Sequence, residues 1–170
     1  KNIIIIVKYN KIIIRKGSFM KVLCIGDICG SGGVFALKKI LPKIKAEEKI
    51  DITIVNGENS ADGNGVTPNS MRDILSCGAD VITGGNHTLK RKEIFDFLED
   101  NDRLLRPHNL SNKFLGKGYT IIDLGFTQLF VINLLGRVFL ENIHPLYETA
   151  ENPFLVLDEH IEKANDMGIK

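Results

Sequence analysis

An α/β fold built on a parallel sheet is what this sequence predicts, on three observations. Short apolar runs with the character of buried strands alternate with segments whose apolar residues recur at helical spacing. Glycine-bearing turns separate the two. Polar clusters, Gly26-Asp27, Gly57-Glu58-Asn59, Gly85-Asn86-His87 and Arg106-Pro107-His108-Asn109, follow the strand-like runs. The carboxyl ends of parallel strands meet along one edge of a sheet, so clusters far apart in sequence are expected to share a pocket there.

Residues 1–19 read apart from the rest. Lysines interrupt the isoleucine runs before any apolar span reaches the ~20 residues of a bilayer crossing, and a continuous apolar region with a small-residue cleavage site is absent. The stretch reads as a non-native or disordered extension ahead of a natural start at Met20, with an added edge strand as the alternative. Residues 20–170 form the domain.

From Met20 the elements follow in order. Val22 to Ile25 is a short buried-strand run, Gly26 to Gly33 a glycine-rich turn, and Val34, Leu37, Ile40, Leu41 and Ile44 mark a helix. Ile52 to Val55 is the second strand, followed by the polar loop Ser60 to Gly65. Thr67-Pro68 opens a helix with a capping residue and a proline in its first turn, running through Met71, Ile74 and Leu75 to Gly78. Val81 to Thr83 is the third strand, Glu93 to Leu98 a helix, and Leu104-Leu105 leads into the fourth cluster. The alternation implies helices wrapped on the sheet by right-handed crossovers. Tyr119 to Leu124 and Leu129 to Leu134 then read as a hairpin, which makes the sheet mixed. Glu141 to Pro153 is a polar connection, and Phe154 to about Met167 a last amphipathic helix. It ends at Gly168, where a cap normally leads into another strand, so the chain reads as stopping mid-fold.

Composition narrows the function. A formal net charge of +1 supplies no global field for nucleic acid or an anionic membrane, so an anionic substrate would have to be held locally. Cys24, Cys29 and Cys77 form an odd set without a CxxC pair, which argues for a reducing compartment, the cytoplasm. Cys24 and Cys77 read as core fillers.

The clusters carry oxygen and nitrogen donors that suit divalent metals. Asp27 sits where a first ligand belongs, although an Asp in that place also caps helices. Glu58 and Asn59 put a bridging carboxylate beside a neutral oxygen, which a turn alone does not require. Asn86 offers another neutral oxygen, and His87 can donate a proton to a leaving oxygen or stabilise phosphate charge. The glycines of the first turn, Gly26-x-x-x-Gly30-x-Gly32-Gly33, depart from G-x-G-x-x-G, which disfavours a dinucleotide-dependent oxidoreductase.

Ile25-Gly26-Asp27, Val55-Asn56-Gly57-Glu58-Asn59, Gly78-Ala79-Asp80, Gly85-Asn86-His87-Thr88, Lys92 to Phe97 and Arg106-Pro107 together resemble the N-terminal part of the YmdB-type metallophosphoesterases, calcineurin-like enzymes similar to 2',3'-cyclic nucleotide phosphodiesterases. The resemblance runs from Met20 to about Ile169. It implies a four-layer αββα sandwich, here incomplete, and two divalent metal ions, iron or manganese. By position, Asp27 and Asn59 would bind the first metal, Glu58 would bridge, Asn86 would bind the second, and His87 would be the acid. The implied substrate is a small phosphoester or cyclic nucleotide; a homo-oligomer is compatible with the pattern.

The departures are equally specific. The family completes its site with three further histidines, one at the end of the next strand and two in Gly-x-His-x-His. His144 and His160 form no such pair and read as surface residues; His108 stays open. Leu89-Lys90 stands where the family commonly has Trp-Asp. With only these ligands the chain is expected to bind metal weakly, to show little phosphodiesterase activity, and to expose apolar surface and a sheet edge that favour association. The alternative is a nucleotide-binding or interaction module that keeps the fold without the chemistry.

Overall fold

The computed structural model describes the backbone of residues 2–6 and, in full, residues 20–110, 115–138 and 149–169. Its elements are β1 Asn2–Ile6, β2 Val22–Ile25, α1 Gly30–Glu48, β3 Ile52–Asn56, α2 Pro68–Ser76, β4 Val81–Thr83, α3 Phe95–Glu99, β5 Leu104–Leu105, β6 Tyr119–Asp123, β7 Gln128–Leu135 and α4 Pro153–Asp166. The expected α/β class with a parallel sheet is what forms: β2, β3, β4 and β5 lie side by side in that order, all parallel. β3 and β4 are buried along their whole length, as central strands covered on both faces must be.

Local sequence explains the helix starts and stops. Thr67 accepts a hydrogen bond from the Ser70 backbone and Ser70 returns one, a reciprocal cap that satisfies two otherwise orphaned N–H groups, and Pro68 follows at the first helical position. α1 ends where Lys49 turns left-handed, at φ 53°. Its Lys45 reaches across to Gly78 O and the Asp80 carboxylate, which ties the helix to the start of β4.

Three apolar clusters hold the elements together. Val34, Leu37 and Leu41 of α1 join Met71 and Ile74 of α2 against Val55 and Ile82 on one face of the parallel sheet. On the opposite face, Ile52, Ile54, Val81 and Leu105 meet Leu129 and Val131 of β7. The alternate residues of β7, Phe130, Ile132 and Leu134, pack with Val156 and Ala164 of α4. Each fully buried Leu or Ile side chain contributes roughly 1.5–3 kcal/mol, so the gap between the two sheets is a core in its own right.

Several expectations need correction. The hairpin β6–β7 forms, but it pairs with β1 in a separate antiparallel sheet of order β1-β7-β6 and does not make the parallel sheet mixed. The reason lies in β7, which is buried on both faces and therefore packs against the parallel sheet instead of extending it. Residues 2–6 form β1 at the edge of that sheet. β2 is half-exposed, because it ends the parallel sheet and has a neighbour on one side only. Cys24 is consequently exposed and fills no core, whereas Cys77, half-buried at the end of α2, packs against the first cluster as expected. Ile40 faces outward at 52% exposure despite its helical spacing. The helix expected over Glu93 to Leu98 is a 3-10 turn, Lys92–Ile94, followed by the five-residue α3. His160 is buried, at 5% exposure, among Tyr119, Phe130 and His108. His144 and most of the Glu141 to Pro153 connection lie outside the described residues.

Candidate functional site

The turn after β3 is built around its own polar side chains. Asn56 Oδ1 accepts from the Glu58 backbone N–H at 3.1 Å, and Gly57 N–H donates to Thr83 O at the end of β4. Glu58 is buried, at 5% exposure. The loop returns at Gly65, whose N–H donates to Glu58 O. With φ +95° and an added Cβ 2.6 Å from Arg91 Cγ, that position admits only glycine without displacement. Two further backbone bonds, Ile28 N–H to Asn56 O and Gly30 N–H to Asn59 O, stitch the β2–α1 turn to this loop and bring Asp27 beside Asn59.

The turn after β4 is held by two side-chain clasps. Thr88 Oγ1 accepts from Gly85 N–H at 2.6 Å and donates to Gly85 O. A Cβ at Gly84 would lie 1.9 Å from that hydroxyl, so the clasp needs glycine there. The second clasp comes from the other sheet: Asn133 Nδ2 of β7 donates to Gly84 O at 3.0 Å and to Leu105 O at 2.9 Å.

These turns bring three of the four clusters together. Asn59 Nδ2 donates to Asp27 Oδ2 at 2.7 Å, and Asn59 Oδ1 lies 2.6 Å from His87 Nδ1. The His87 backbone N–H donates to Glu58 Oε2 at 3.1 Å. With the Asn59 amide oriented by Asp27, Nδ1 of His87 is the protonated, donating nitrogen, which leaves Nε2 for other chemistry. Asp27 is exposed and Asn59, Asn86 and His87 are half-buried, so the network opens to solvent. Asn86 occupies the same turn as His87. Asp27 does not cap α1, whose N-cap is Cys29 without a side-chain bond.

The fourth cluster turns away. Arg106 donates to Leu115 O and Pro107 O, and burial pushes its guanidinium pKa down. Asn109 donates to Leu135 O and Glu151 O and accepts from Leu135 N–H, which ties β7 to the start of α4. His108 packs on His160 with ring centroids 4.3 Å apart.

Two carboxylates, two carboxamides and an imidazole fit a share of a divalent-cation shell, since hard oxygen donors and imidazole suit such ions. Among the described residues no group of three or more His, Cys, Asp or Glu side chains could hold a metal without other donors. Sequence reading passed over Asn133 and gave Thr88 no role of its own. Asn133 was detectable as the one polar side chain inside the apolar run Leu129–Leu135, since a buried amide in a strand requires partners.

The family model described as YmdB-like protein matches residues 23–169. The chain is similar to the 2',3'-cyclic-nucleotide 2'-phosphodiesterase of Bacillus subtilis, with 45% identity over 145 residues, covering 85% of this chain and 52% of that protein. A solved structure of a hypothetical protein from Thermus thermophilus superposes with a TM-score of 0.75 at 32% identity, over 84% of this chain and 53% of that one. A structure described as a novel phosphatase from Mycoplasma pneumoniae gives 0.74 at 32%, over 85% and 51%. The chain spans about half the length of the curated relatives it matches. With the fold, the three joined turns and these matches agreeing over nearly all of residues 23–169, the chain belongs to the YmdB-like protein family.

Proposed function

We propose that this chain carries part of the site of a metal-dependent phosphodiesterase acting on small phosphoesters such as 2',3'-cyclic nucleotides. The observation that carries the reading is the hydrogen-bonded series Asp27–Asn59–His87, with Glu58 on the His87 backbone, assembled from three strand ends. The order of helices, parallel sheet, antiparallel sheet and α4 supports the αββα sandwich that the family resemblance implies.

Asp27, Glu58, Asn59 and Asn86 would hold two divalent cations, iron or manganese, with Glu58 between them. When bound, such a pair supplies Lewis acidity and a water activated for attack. The chain's own contribution centres on His87. Asn59 fixes the ring through Nδ1–H, and the Glu58 carboxylate fixes its backbone, so Nε2 keeps one direction. As water attacks phosphorus and the P–O bond to the ribose breaks, a proton on Nε2 passes to the departing oxygen, work worth about 10²–10⁴-fold in rate. Too few charged and imidazole donors gather among the described residues for tight binding, so this span alone is expected to hold manganese weakly and to turn over little.

The test measures hydrolysis of 2',3'-cyclic AMP and manganese content in a chain of the relatives' length. His87→Ala should depress turnover and leave metal content intact; loss of metal instead would remove His87 from the acid role. Glu58→Ala should lose metal, and full occupancy would show that Glu58 does not bridge. The scarcity of charged donors favours one alternative, a nucleotide-binding module without chemistry, and saturable nucleotide binding with no hydrolysis at relatives' length would establish it.

A further inference from the structure

We infer that Asn133, on β7 of the second sheet, is a positioning residue for the His87 turn. The proposal rests on the reading of His87 as the acid. β4 ends at Thr83, and beyond it Gly84 N–H still finds a strand partner in Leu105 O. Gly84 O does not continue the parallel ladder: it receives Asn133 Nδ2 from across the gap between the sheets, at 3.0 Å. The same amide donates to Leu105 O, so one side chain binds the ends of both β4 and β5.

Asn133 is well placed to fix that peptide. Its own backbone is anchored on both sides, by His108 N–H to Asn133 O at 2.7 Å and by Asn133 N–H to Gly118 O at 2.9 Å. Its side chain is fully buried, with Oδ1 unpartnered. An unpartnered buried carbonyl is costly, and turning the amide over would set that oxygen against the carbonyls of Gly84 and Leu105. The orientation is thus determined by the two strand ends. An apolar residue would pack there beside Leu129 and Val131 at no such cost, so what the amide adds is the position of Gly84 O, one peptide before the turn that aims His87 at Asn59.

The test compares the wild-type chain with Asn133→Leu, which keeps the volume and removes both donors, and with Asn133→Ser, which keeps one donor. The readouts are amide hydrogen exchange and the ¹⁵N signals of the His87 ring. Asn133→Leu should speed exchange at Gly85 and His87 by about 10-fold or more while Ile54 and Val55 in β3 hold their wild-type rates, a local opening and not a global one. The His87 ring should lose its fixed Nδ1–H form, and Asn133→Ser should fall between. Wild-type exchange and ring signals at His87 in both variants would overturn the inference, as would equal acceleration at every strand amide. A chain of the relatives' length that hydrolyses no phosphodiester with manganese would overturn the proposed function instead, and the exchange comparison would still decide the role of Asn133.

Discussion

His87 and the His108–His160 pair place the same side chain in opposite surroundings. His87 stands half-buried at a strand end, with its ring on a carboxamide and its backbone on a carboxylate. His108 and His160 face each other across the packing of α4 on the second sheet, enclosed by Tyr119 and Phe130, in a cavity of about 270 Å³ bordered by Glu151, Glu159 and Lys163. Burial first, then the neighbouring His160 and Arg106, push the His108 pKa down to about 4, against a weaker opposite pull from Glu159. His160 spends its Nδ1 on Val156 O, one helical turn back. His87 and His108 both stand in polar clusters after apolar runs, so a histidine's place behind a strand does not assign its task. Its neighbours do: donors and acceptors with access to solvent suit proton transfer, and aromatic enclosure suits a neutral packing residue.

The comparison breaks most visibly in turnover. In a chain of the relatives' length, His87→Ala should lower phosphodiester hydrolysis by about 10²–10⁴-fold, whereas His160→Ala should leave it near wild type; an equal loss from both would erase the distinction drawn between the two regions. Stability should show the reverse order. His160→Ala opens a cavity among three rings and is expected to cost roughly 1–3 kcal/mol, read from urea unfolding, while His87→Ala at its half-exposed place should cost less. Gly84→Ala sharpens the site side of the contrast: its Cβ meets the Thr88 hydroxyl, so roughly 1–3 kcal/mol of overpacking should appear together with faster amide exchange at Gly85.

The last contrast is a pH slope. His108 is held neutral in the fold, with a pKa of about 4 below its ordinary 6.5, so in the acid range the unfolded chain binds the extra proton first. Its contribution to stability is fully present above pH 6.5 and is lost progressively as pH falls toward 4. Unfolding midpoints measured across that interval should decline in the wild type and decline less in His108→Gln. Matching slopes would place the acid sensitivity elsewhere.

Much of this was legible in sequence, and the exceptions share a cause. The alternation of strands and helices, the Thr67-Pro68 cap and the gathering of Asp27, Asn59 and His87 follow from local patterns: periodicity, turn chemistry and the convergence of parallel strand ends. What failed depended on partners distant in the chain. Cys24 looked buried because its run is apolar, but exposure is decided by whether another strand lies beyond β2. His160 looked superficial because its helix is amphipathic, but Tyr119 and His108 arrive from segments some 40 and 50 residues earlier to cover it. The hairpin's sheet was misjudged because one apolar run serves two cores, which periodicity in a single strand cannot divide between faces.

The edge-to-face meeting of His108 with His160 and Tyr119 also has a spectroscopic consequence. Protons held over an aromatic face are shielded by its circulating electrons, so carbon-bound ring protons in this trio should resonate away from the positions of solvated histidine. The seating of α4 can then be followed in solution through two residues that take no part in the His87 network, with no label added and no atom of the candidate site disturbed.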